Sequence, residues 1–255
     1  MRRLTSYEEV LDASGGDAFV RYELPADYTG PAFALGAAVV FVRTGTSRRS
    51  GSPRRTGLTA IGPTDDLDRL LRELRASGAV DGFPVDSVSL PQHAAELHTR
   101  YFDTTTGGDW EWMWTTTVPR PVPQEDDLVE LDDTADRAEI TALLERGNPT
   151  THAHPGEGVT ELWLGLRDAS GGIVACAALH RNAAGHPHLT GITVVPELRG
   201  RRIGLAMTAA LTRRAVVREG VCTLGMFSDN DAARRLYHGL GYRTAQSWAS
   251  RHLDR

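Results

Sequence analysis

Apolar residues recur every three to four positions in some stretches of the chain and every second position in others, and those two periods predict its elements. In the first half, AFALGAAVVFV (32–42) reads as a strand or strand pair, and DDLDRLLRELRAS sets Leu67, Leu70, Leu71 and Leu74 at helical spacing. VDSVSL (85–90) alternates as a strand, and PQHAAELHTRYF reads as a short helix opened by Pro91. DWEWMWTTT puts Trp110, Trp112 and Trp114 on one face of a strand. Such a stripe fills a core or a domain interface more often than it forms a ligand platform, and it is read so here.

The second half is more regular. DLVEL (127–131) is a strand, and ADRAEITALLERG is a helix with Ile140, Leu143 and Leu144 on one face and Gly147 at its end. ELWLGL, GGIVACAAL and HLTGITVV are three successive strands, the first two joined through the hairpin signal DASGG. RIGLAMTAALTRRAVVREG is a helix, VCTLGMF a strand, DNDAARRLYHGLG a helix and YRTAQSW a final strand. Hairpins early and alternation with helices late imply an α+β (mixed α/β) fold, a mixed and mostly antiparallel sheet flanked by helices.

Pro119, Pro121 and Pro123, followed by QEDD, make the clearest composition break, so the expected organisation is a domain over 1–120 and another over 126–255. TSRRSGSPRRTG (46–57) carries four arginines with nothing to bury, and reads as a solvated loop rather than a polyanion-binding arm. With 28 Lys+Arg against 33 Asp+Glu the formal charge is −5, which argues against a nucleic-acid or anionic-membrane partner. Cys176 and Cys222 each sit in an apolar run, as suits buried thiols in a reducing compartment. No stretch has the roughly 20 apolar residues of a membrane span, and the expected location is cytoplasmic.

The candidate chemistry lies at two places. VVPELRGRRIGLA (194–206) turns from a strand into a helix whose free backbone N–H groups and dipole favour phosphate, with Arg199, Arg201 and Arg202 adding charged donors. It is neither a Walker loop nor the dinucleotide fingerprint, and alone it could equally be a basic surface turn. Downstream, SDNDAARRLYHGLGY sets Ala233, Leu236, Tyr237 and Leu240 on one helix face closed by Gly241.

Together these segments resemble the GNAT superfamily of acyl-CoA N-acyltransferases. Val194-Val195-Pro196 and Arg199-Gly200-Arg201-Arg202-Ile203-Gly204 follow its Arg/Gln-x-x-Gly-x-Gly/Ala signature, and Asn230, Ala233, Leu236, Tyr237, Gly241 and Tyr242 follow its later motif. The resemblance covers about 126–255. It implies the GNAT fold there, and leaves open that the first half is a degenerate copy. Arg202 stands where the signature prefers glycine, a side chain acceptable there if its backbone is helical.

The resemblance further implies acetyl-CoA as cosubstrate and an acetyl transfer to a primary amine of a small molecule by direct attack in a ternary complex. Ile192, Thr193 and Val194 would line the cofactor arm, with the Val194 N–H facing the oxyanion. Arg199, Gly200, Arg201, Arg202, Ile203, Gly204 and Leu205 would hold the pyrophosphate, Asn230 would contact the arm, and Tyr237 would be the general acid. A homodimer is common in the family. The base is not identified: His188 is the candidate named, with Thr190, Glu161 and His180 nearby. His152/His154 and His186/His188 could pair for zinc, but neither has a third ligand at diagnostic spacing, so no metal is expected. The competing reading is a non-catalytic acyl-CoA-binding or regulatory module.

Overall fold

The structure is a computed structural model that describes residues 1–44 and 56–254. Its first half runs β1 (Arg2–Leu4), α1 (Tyr7–Ala13), α2 (Ala18–Glu23), β2 (Ala32–Leu35), β3 (Ala38–Thr44), β4 (Thr56–Ile61), α3 (Thr64–Ser77), β5 (Ser87–Pro91), α4 (Leu97–Tyr101) and β6 (Thr104–Thr115). The second runs β7 (Val129–Leu131), α5 (Arg137–Gly147), β8 (Thr160–Arg167), β9 (Ile173–Arg181), β10 (Pro187–Val194), α6 (Ile203–Glu219), β11 (Cys222–Phe227), α7 (Asp231–Gly239) and β12 (Arg243–Leu253). Both halves thus follow one plan: a short strand, a helical layer, three antiparallel strands, a helix, a strand, a helix and a last strand.

The strands form one twelve-stranded sheet in the order β1-β2-β3-β4-β5-β12-β6-β11-β10-β9-β8-β7. The halves mirror each other in it, with parallel pairs at β4/β5 and β10/β11. Their last strands are exchanged. β12 lies antiparallel to β5, and β6 antiparallel to β11, so the halves meet at the β12/β6 pair.

Alternation along the strands sends their side chains to two helical layers. On one face Val39, Phe41, Trp112 and Trp248 pack under α1 and α2, and Cys176, Ala178 and Trp163 pack under α5. On the other, Val40, Val42 and Leu58 meet α3, while Ala175, Ala177, Leu189 and Leu224 meet α6 and α7. The tryptophan stripe belongs to the first layer. Trp112 is buried edge-on against Phe19 at 5.4 Å, and Tyr22 covers Trp114 at 5.3 Å.

AFALGAAVVFV resolves into the pair β2/β3, turning at Gly36 with φ +59°. Pro91 ends β5 instead of opening a helix; a 3-10 turn over Gln92–Ala94 precedes the short α4. The first 23 residues, where no element was expected, hold β1, α1 and α2, helices too short to show a clear apolar period. Ser6 and Asp17 start them by accepting first-turn N–H groups. Of the arginine-rich stretch, 45–55 lies outside the described residues, and Thr56 and Gly57 begin β4. The proline-rich connection is held against α6, where Glu125 pairs with Arg213.

Candidate functional site

The central feature is a gap between two parallel strands. β10 and β11 pair only at His188↔Thr223 and Leu189↔Leu224. Beyond that point β10 bulges: Thr190 faces Ala178, yet Thr193 already faces Cys176, so three steps on β10 oppose two on β9. Gly191 makes the bulge at φ +65°, and a Cβ there would lie 2.8 Å from the Ala153 Cβ, so only glycine lets the 148–159 loop cover the strand. The end of β10 therefore leans away from β11.

Backbone direction at that end follows from one bond. Val195 N–H donates to Val174 O across to β9, so by alternation the Val194 N–H turns the other way, into the gap. The Val194 carbonyl accepts from Arg199 Nε at 3.2 Å. Ile192 and Val194 lean on the α6 side, whereas Thr193 is buried and donates back to the Gly191 carbonyl at 3.1 Å.

The turn into α6 is built for unpaired N–H groups. Arg199 is anchored by Val194 O and by Gly147 O at 3.3 Å, Gly200 has φ +79°, and Arg202 has φ +64°. Arg202 does not meet the condition of a helical backbone: it occupies the left-handed region. Arg202 is the N-cap of α6, and its side chain does not cap. Among the described residues no side chain takes the first-turn N–H groups of Ile203, Gly204 and Leu205, the donors that bind anions at helix starts. Arg201 and Arg202 are both exposed beside them.

Across the gap stands α7. Asn230 is its N-cap, accepting from Ala233 N–H at 3.0 Å, which commits its oxygen and leaves its amide NH2 as the group that can face a ligand. Tyr237 is buried, and its hydroxyl has no hydrogen-bond partner among the described residues. Burial pushes the phenol up to about 12, so it is protonated at neutral pH.

His188 sits where β10 and β11 still touch, on the α2 side of the sheet. Its Nδ1 lies 2.9 Å from Thr223 Oγ1, and the Thr223 hydroxyl donates to Pro187 O at 3.0 Å. A hydroxyl whose proton is given to a carbonyl can only accept from the ring, so Nδ1 carries the proton and Nε2 is the free base. Burial, reinforced by His152, holds the imidazole down at about 4. The His180 ring stacks on it at 5.1 Å and is lower still, at about 3, chiefly through burial.

The other candidates go elsewhere. Glu161 is taken by Arg181 and Arg218. His186 packs edge-on against Tyr22 at 5.3 Å, and Thr190 stays half-buried on the His188 face. Among the described residues no group of three or more His, Cys, Asp or Glu is placed to hold a metal ion. Both cysteines are free and buried, and no described helix is long and apolar enough to cross a membrane. Sequence reasoning missed Glu23 and Thr223, which reach His188 from α2 and β11, and Asn182 just past β9, which holds Glu23; none carries a local signature.

A family model described as "Acetyltransferase (GNAT) family" matches residues 111–242. No curated protein matches. Similar solved structures include a putative GNAT-family acetyltransferase from Novosphingobium aromaticivorans, 18% identical, covering 96% of each chain at TM-score 0.52. A GCN5-related N-acetyltransferase from Kribbella flavida is 16% identical over 99% of this chain and 97% of its own, at TM-score 0.53. Another from Sphaerobacter thermophilus is 17% identical over 95% and 88%, at TM-score 0.56. At these identities the likeness is one of fold.

Proposed function

Since the chain belongs to the acetyltransferase (GNAT) family, whose model spans just over half of it, we propose that it moves the acetyl group of acetyl-CoA to a primary amine of a small molecule by direct attack in a ternary complex. The observation that carries this reading is the widening of β10 from β11 beside an α6 N-terminus that no side chain among the described residues caps. A pyrophosphate fits there: the first-turn N–H groups of Ile203, Gly204 and Leu205 face it, with Gly200 permitting close approach and Arg199, Arg201 and Arg202 around it. Ile192, Thr193 and Val194 would flank the pantetheine arm, with Asn230 opposite.

Bound there, acetyl-CoA supplies an acetyl group activated as a thioester. The Val194 N–H, turned into the gap, would polarise the carbonyl, a backbone donor that needs no reorganisation. Tyr237, protonated and without a partner, would give its proton to the departing thiolate. His188, neutral with Nε2 free, would accept a proton from the amine, directly or through one water. Neither cysteine takes part, because burial pushes both thiols up to about 12. We read 1–120 and 126–255 as two units of one plan, the first lending the second its last strand, and two free buried thiols suit a cytoplasmic protein.

Titration calorimetry with acetyl-CoA, combined with thiol release over a panel of small amines, tests the reading. Binding with amine-dependent release is expected. Binding without release from any amine would leave the non-catalytic module as the better account. Tyr237→Phe should keep acetyl-CoA affinity and lower kcat by about 10²-fold, the low end for a general acid; unchanged turnover removes Tyr237 from the mechanism.

A further inference from the structure

We propose that Glu23, on α2 of the first half, is a positioning residue for His188, so that the proton-accepting site of the second half is completed by the other half of the same chain. This rests on the reading of His188 as base. Glu23 is buried beneath the sheet face that carries His188, and its Oε1 lies 3.7 Å from His188 Nδ1. That same oxygen accepts from Trp112 Nε1 at 2.8 Å and from Asn182 Nδ2 at 3.0 Å. Asn182 is itself fixed, donating to Tyr22 O at 2.7 Å and accepting from the backbone of Ala184 and His186. The carboxylate cannot swing away.

The charges around His188 show what such a carboxylate does. His180 is stacked on the ring from β9, His152 faces it from the 148–159 loop, and His186 lies two residues away on the same face. Any proton on these three opposes one on His188. Burial pushes the Glu23 carboxyl up, and half-buried Arg43 on β3, with the hydrogen bonds from Trp112 and Asn182, pulls it back toward the charged form. Glu23 Oε1 lies on the Nδ1 side at 3.7 Å, and the same carboxyl also raises the neighbouring His186. When Nε2 takes the proton leaving the amine nitrogen, which keeps its electron pair for the acyl carbon, positive charge spreads to Nδ1–H, opposite Glu23 Oε1. The carboxylate neither receives that proton nor touches substrate; it steadies the imidazolium from the Nδ1 side.

Two roles must be told apart, a countercharge and a mere anchor for Trp112. Glu23→Gln keeps an acceptor oxygen for Trp112 and Asn182 but removes the charge. The imidazole pKa of His188, followed by NMR titration of the whole chain without substrate, is expected to fall by about one unit, the usual effect of losing one nearby opposite charge. The acid limb of kcat/KM should move with it, kcat at neutral pH should drop about tenfold, and acetyl-CoA affinity should not change. Asn182→Ala, which frees one clamp on Oε1, should move the titration in the same direction by less, and serves if Glu23→Gln does not fold. A His188 titration unmoved in either folded variant overturns the proposal. Full turnover in His188→Asn would instead sink the base assignment, and the NMR result would then still report whether the pair is coupled.

Discussion

Arg202 concentrates the residue-scale tension between stability and use. It holds φ +64° with a side chain attached, a conformation that costs an L-residue roughly 1–2 kcal/mol and glycine almost nothing. Arg202→Gly is therefore expected to stabilise the protein by about 1 kcal/mol and raise Tm by about 2–4 °C, while Arg202→Ala, which keeps the Cβ, should recover none of the backbone cost. Thermal unfolding of the two variants side by side checks this, and an equal Tm for both would show that the turn stores no strain. Residue-level reading of the sequence singled out Tyr237, Asn230 and the 199–205 turn as candidates because motif spacing along one helix and one turn is local. It could not reach Glu23 or Thr223, whose meaning comes only from facing His188.

At the scale of elements, β12 decides whether the halves are separable. It is one of the two central strands of the sheet, with β5 on one side and β6 on the other, and it brings Trp248, fully buried against Phe19 at 5.1 Å. The β6/β12 pairing is tight enough that a Cβ on Gly107 would lie 1.9 Å from Ser250 O, so the contact is shaped at backbone level. Residues 126–255 expressed alone would leave β12 without either neighbour and β11 without β6, exposing Trp248 and two unpaired edges. We expect that fragment to lack a cooperative thermal transition by circular dichroism, and a sharp transition near that of the full chain would refute the interdependence. Periodicity placed most of these elements correctly, including the β8/β9 hairpin, and missed α1 and α2, where six or seven residues with few apolar positions are shaped by their caps and by packing on the tryptophans.

Across the whole molecule the two halves share a plan but differ at the position where a phosphate would sit. The first turn of α6 carries no acidic residue, whereas the matching helix α3 opens with Asp65 and Asp66, and Asp66 accepts the Ala37 N–H at 2.7 Å. Two carboxylates at a helix start complement its dipole and repel a pyrophosphate. Calorimetry is accordingly expected to find one acetyl-CoA per chain; a stoichiometry of two would show that the first half kept a working site. The first half then serves by lending β6, a tryptophan-lined face and Glu23.

From the sequence alone came the order and type of most elements, the mixed sheet with helices on it, and the paired motifs of the second half. Apolar period and turn chemistry are local properties, readable wherever a segment buries one face. Only the tertiary structure decided which strands are neighbours, that the last strand of each half is exchanged, and that a carboxylate 165 residues before His188 in the chain sits 3.7 Å from its ring. Hydrophobic patterning specifies which side of a strand is buried but not what it is buried against, and that partner is chosen by the closing of the whole sheet.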